Sequence, residues 1–126
     1  MLIGQILALA AAASIGAEGL RLQYSTRDAK EYVDVTSVVT RAGLRQVRWV
    51  THASDERRVD VYAFDCSRPR FAHVVTEKYR MGMRLESIIV PEERWQAHLV
   101  AMPLKYPQTA VHRAREVGCA EPGKRN

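Results

Sequence analysis

The stretch VDVYAFDC, residues 59–66, decides how this chain reads. Apolar residues stand at nearly every step, and Val, Tyr and Phe favour extended backbone. A strand written this way is covered on both faces, which places it centrally in a sheet. Alternation puts Tyr62, Phe64 and Cys66 on one face of that strand. On its N-terminal side, residues 32–35 form a short strand followed by a Thr36-Ser37 step, and Arg41, Ala42 and Gly43 supply a turn. Residues 44–51 form the next strand, with Val47 and Trp49 sharing a face with Arg45 and Thr51 while Gln46 and Arg48 point the other way. The polar run 54–57 is a hairpin connection.

On the C-terminal side, Ser67, Arg68, Pro69 and Arg70 break the pattern, and residues 71–79 resume it as a strand. Met81, Gly82 and Met83 turn the chain into a fifth strand over 84–90, which Pro91 terminates. Residues 93–100 admit a helical turn or a sixth strand, and the spacing of Trp95, Ala97 and Leu99 favours the strand. Residues 107–117 read as helix: Pro107 suits the first turn, Val111, Ala114 and Val117 lie at helical spacing, and Gly118 ends it. Residues 121–126 read as a frayed tail. The expected class is α+β, a small antiparallel sheet of five to six strands with a C-terminal helix packed on one face.

A length of 126 residues allows one domain and leaves too few for a second core. With 47% hydrophobic and 26% charged residues the composition is that of a folded domain, and seven Gly with five Pro exclude collagen-like or low-complexity architecture. Nineteen Lys and Arg against fourteen Asp and Glu give a net charge of +5, which permits an acidic partner without naming one.

Residues 1–17 carry no charged side chain. The block is shorter than the roughly 20 apolar residues of a spanning helix and fits the apolar region of a secretory signal peptide ending in small residues. Cleavage is expected after Ala17, with Gly16 or Ala13 as alternatives, leaving residues 18–126 as the single working domain. No Lys or Arg precedes the apolar run, and a buried N-terminal helix or short membrane anchor is the competing reading. No Cys stands near position 17, so lipid attachment at a lipobox is not expected. The mature product is expected to be exported, not membrane-spanning, and periplasmic or at the cell surface.

Cys66 and Cys119 stand 53 positions apart and form no CxxC pair and no zinc or haem spacing. In an exported domain two such cysteines most simply form one disulfide, stabilising by about 4 kcal/mol on the chain-entropy account. The rival reading makes Cys66 a nucleophile with His73 as its base, which needs a reactive thiol in an oxidising space. The disulfide is favoured. It would pin the helix over Tyr62 and Phe64 and assign those two aromatics to the core.

The order of features resembles the bacterial surface-adhesin protein E-like family. The resemblance rests on YVDVTSV at 32–38, VRWV at 47–50, YAFDCS at 62–67, a later Trp95 and a closing Cys119 after a helix, and covers roughly residues 20–119. It implies a small antiparallel sheet with a C-terminal helix, a Cys66–Cys119 bond and an exported location. For the name-giving adhesin it also implies binding of host matrix and plasma proteins. Two departures stand out: there is no cysteine to carry a lipid anchor, and the usual step before the last helix is replaced by PLKYP at 103–107.

Catalytic chemistry is poorly supported, and neither a catalytic residue nor a metal or other cofactor is expected. His52, His73, His98 and His112 show no metal-ligand spacing, there is no nucleophile elbow, and the glycines form no phosphate loop. Asp34 and Asp65 are the carboxylates nearest apolar sequence, and salt bridges to Arg are expected for both in place of a catalytic pair. Arg supplies 15 of the 19 positive charges, with local clusters at Arg57 and Arg58, Arg68 and Arg70, Arg80 and Arg84, and Arg113 and Arg115. Arg57, Arg58, Arg68 and Arg70 are the candidate binding residues, for a protein partner or another acidic surface. Acids interrupt every cluster, and no specific nucleic acid is expected. The expected function is an exported, non-enzymatic binding module contacting host or envelope proteins. The alternatives are a periplasmic structural or accessory protein without a host ligand and, more distantly, a nucleic-acid or polyanion binder. An uncovered sheet edge would admit a homodimer.

Overall fold

The computed structural model describes residues 19–104 and 109–120. Six strands run as an antiparallel meander in which each pairs with the next: β1 (Leu20–Ser25), β2 (Lys30–Arg41), β3 (Leu44–Ala53), β4 (Glu56–Asp65), β5 (Arg70–Arg80) and β6 (Met83–Ile89). A two-residue β7 (Val100–Ala101) pairs with the start of β5, beyond the reach of β6. One helix follows, α1 (Ala110–Gly118). The α+β expectation holds, with seven strands where five to six were expected; β1 and β7 are the additions.

Local chemistry sets the turns. Ala42 and Gly43 between β2 and β3, and Met81 and Gly82 between β5 and β6, all have positive φ. That is the two-residue hairpin geometry whose twist matches the flanking strands, and glycine takes the second position in both. Strand β2 runs well past the expected residue 35, because residues 35–38 bulge out of register between the Asp34 and Val39 pairings. Ser37 fills the gap: its Oγ accepts from the Arg48 N–H at 2.8 Å and its C=O accepts from Gln46 Nε2 at 2.9 Å. The expected Thr36-Ser37 step is therefore a bulge within one strand.

Both faces of the sheet are covered, by different means. On one, α1 sets Val111 and Ala114 against Val33, Val47, Trp49, Tyr62 and Phe64, with Met102 closing the cluster. On the other, Trp95 packs on Leu44, Ala63, Ala72 and Val74. The expectation of a strand over 93–100 is corrected here. Residues Glu92–Arg94 and Gln96–His98 form two 3-10 turns, and only the last expected position, Val100, enters a strand. Trp95 is buried while Ala97 is exposed, so no period-two face exists; Pro91 starts the turns, and the indole N–H donating to Val90 O at 3.0 Å anchors them. The start of the expected helix at Pro107, the tail at 121–126 and the leader at 1–17 lie outside the described residues.

Cys66, one residue past β4, is bonded to Cys119, one residue past α1, with Cα atoms 5.5 Å apart. The bond ties the end of the helix to the turn after an interior strand, and Tyr62 and Phe64 lie in the core beneath it. Gly118, the last residue of α1, explains how closely the two layers approach. A Cβ there would stand 2.5 Å from Val47 Cγ2 and 3.4 Å from Phe64 Cδ2. Gly118→Ala is expected to destabilise by about 1–3 kcal/mol through overpacking, read as a lower midpoint in chemical denaturation.

Candidate functional site

The four candidate arginines do not form one patch. Arg57 and Arg58 begin β4, while Arg68 and Arg70 flank its far end, where Arg70 pairs with Asp65. The ends are roughly 26 Å apart at about 3.3 Å per residue. Within the first pair, Arg57 lays its guanidinium 5.6 Å from the Tyr79 ring centroid on the face away from α1. Arg58 faces the opposite side and grips Asp60 through Nε at 2.9 and 3.1 Å. Arg70 donates to Asp65 Oδ2 from Nε at 3.2 Å and from Nη2 at 2.6 Å. Arg68 lies in the exposed turn, where its C=O accepts from Arg115 Nη2 at 3.2 Å.

Asp34 and Asp65 are likewise kept apart, two strands and four residues removed, or roughly 16 Å from sheet spacings. Each caps its own local turn. Asp34 accepts from the N–H and hydroxyl of Thr36 and from Arg48 at 3.4 Å. Asp65 accepts from the N–H and hydroxyl of Ser67 as well as from Arg70. The Ser67 hydroxyl first, and Arg70 second, hold the Asp65 carboxyl well below the usual carboxylate range.

Two buried acidic networks on the helix-bearing face escaped sequence reasoning. Asp60, 3% exposed, accepts from Arg58 and lies 2.7 Å from His73 Nε2, and Thr76 Oγ1 lies 2.8 Å from the same nitrogen. A proton relay through histidine uses its two ring nitrogens on different partners. Here carboxylate and hydroxyl converge on one nitrogen, forming a closed structural knot. The Tyr62 ring stacks 4.8 Å from His73, and burial, with Asp60 adding to it, pushes its hydroxyl far above the ordinary phenol value. The rival reading of Cys66 as a nucleophile served by His73 ends at the disulfide.

The second network joins helix to sheet. Glu31 accepts from Trp49 Nε1 at 3.0 Å and takes a two-pronged bond from Arg113, at 3.0 Å from Nε and 2.7 Å from Nη2. The Arg113 guanidinium also lies 3.8 Å from the Tyr24 centroid on β1. Arg115 Nη2 donates to the C=O groups of Asp65, Cys66 and Arg68. The Arg113 and Arg115 cluster is thus structural, the two residues reaching from the middle of α1 to Glu31 on β2 and to the turn after β4. The only sequence signal for either network was an acid inside otherwise apolar strand text.

The uncommitted charge collects elsewhere. Across the face away from α1, at the end that Trp95 does not cover, register aligns Lys30 with His52, His52 with Arg57, Arg57 with Tyr79, and Tyr79 with Arg84. Tyr32 stands beside this row, its ring 5.4 Å from that of His52. Burial first, and Arg57 second, lower the His52 pKa from its ordinary value. His98 sits in an exposed 3-10 turn, and His112 Nδ1 meets Thr109 Oγ1 at 2.8 Å. Among the described residues no three His, Cys, Asp or Glu side chains gather as a metal site, and no helix is long and apolar enough to cross a membrane.

Neither a protein-family model, nor a curated protein, nor a solved structure matches this chain.

Glu31→Ala would leave the Trp49 N–H and the Arg113 guanidinium without their acceptor. A loss of about 3 kcal/mol in unfolding free energy is expected, with denaturant titration as the measurement.

Proposed function

We propose that this chain is an exported, non-enzymatic binding module of the surface-adhesin protein E-like type, presenting its sheet to host or envelope proteins. The observation that supports this reading most is the Cys66–Cys119 bond, which suits a small domain working in an oxidising compartment. The resemblance motifs also have coherent places in the fold. YVDVTSV spans β2 and its bulge, VRWV lies in β3, and YAFDCS ends β4 at the disulfide. Binding is favoured over catalysis because the Asp60, His73 and Thr76 groups satisfy one another, and Asp34 and Asp65 serve their own turns.

Cell fractionation with N-terminal mapping tests the proposal. The mature chain should be recovered outside the cytoplasm, beginning at Glu18, and protease treatment of intact cells should remove it. Full-length cytoplasmic protein would overturn export. Exported protein spared by the protease would overturn the adhesin reading and leave a periplasmic accessory role.

A further inference from the structure

We propose that the row formed by Lys30, His52, Arg57, Tyr79 and Arg84 is a docking site for an acidic polysaccharide, one carrying sulfate or carboxylate groups along an extended chain. Directly paired residues project from the same face of a sheet, so the register alone brings these five side chains, drawn from five strands, into one line. The line crosses four inter-strand steps, roughly 19 Å at about 4.8 Å each.

Three observations make this row more than a solvated basic surface. First, Lys30, Arg57 and Arg84 form no ion pair among the described residues, whereas Arg27, Arg41, Arg48, Arg58, Arg70 and Arg80 each have a carboxylate partner; Arg21, Arg68 and Arg94 also form none but lie off this line. Cations aligned without counter-charges weaken a sheet, and a bound anion would relieve that cost. Burial first, and the Arg57 charge second, lower the His52 pKa, so the positive field accounts for the smaller part of that shift. Second, flat rings alternate with the charges. Tyr79 lies under the Arg57 guanidinium and Tyr32 stands against His52, offering surfaces on which the apolar faces of sugar rings can rest. Third, at its β2 end the row opens into a cleft of about 360 Å³ whose lining includes Arg27, Asp28, Lys30, Tyr32, His52 and Ser54, with the Asp28 carboxylate paired to Arg27 at 3.4 Å.

Glu77, one row inward opposite Val59 and Ser87, repels an anion from the middle of the sheet and confines it to the row. The choice of polysaccharide over nucleic acid rests on the export proposed above, since the electrostatics admit either.

Heparin is the probe. Calorimetric titration of the mature chain at two salt concentrations should show saturable binding that weakens as salt rises. K30Q/R57Q/R84Q should lose roughly tenfold or more in affinity. The charge-matched control R21Q/R41Q/R94Q, drawn from exposed arginines off the row, should stay within about twofold. Melting curves of both variants confirm that each is folded before affinities are compared. Equal losses in the two variants would overturn the site, as would the absence of heparin binding. Tighter binding of a single-stranded oligonucleotide than of heparin at matched salt would overturn the choice of polysaccharide. The measurement needs only purified protein, so its failure is distinct from a failure of export.

Discussion

The bond between Cys66 and Cys119 is the constraint on which the rest of the structure depends. A nine-residue helix is too short to hold itself together in water, and its sequence offers a stripe of only a few buried positions. It persists because it is fixed along its length. From its middle Arg113 reaches Glu31 and Tyr24 and Arg115 reaches the turn after β4, and at its finish the disulfide ties it to that same turn. Gly118 then lets the backbone settle onto Val47 and Phe64. Without that clamp the apolar face of Val33, Val47, Tyr62 and Phe64 would meet water.

The clamp also explains how the charges divide. A modest basic excess says little as a total, yet the fold sorts it by address. Arginines facing the helix side or the strand ends are consumed by Asp60, Asp65, Glu31 and Glu56. Those on the opposite face, at the end Trp95 does not cover, are left beside tyrosines. Trp95 and its neighbours build a second core on part of that face, so the unpaired cations Lys30, Arg57 and Arg84 gather at its other end.

Much of this was legible in the sequence, and the parts that were not have physical causes. The β4 text, the turns at Ala42-Gly43 and Met81-Gly82, and the Val111 and Ala114 stripe are local signals, and local signals can be read without partners. Strand β1 was missed because LRLQYS is a largely exposed edge with little apolar density. The turns around Trp95 were misread because one anchored indole imitates a strand when its neighbours are small or apolar. The Glu31–Arg113 pair spans 82 positions, and Asp60, His73 and Thr76 meet only through pairing, so neither network leaves a sequence motif. The basic row depends on register in a stricter sense. Irregularities between Val61 and Tyr62 and between Lys78 and Tyr79 decide which face each side chain takes, and a one-residue slip would scatter the row to both sides.

Because the helix, the core beneath it and the export reading all lean on one covalent bond, its state in the protein as made by the cell is the most direct test. Intact mass is measured on protein alkylated under denaturing conditions, with and without prior reduction. The account predicts no alkylated cysteine before reduction and two after it, with the unalkylated mass rising by about two protons on reduction. Two alkylated thiols in the unreduced protein would contradict it.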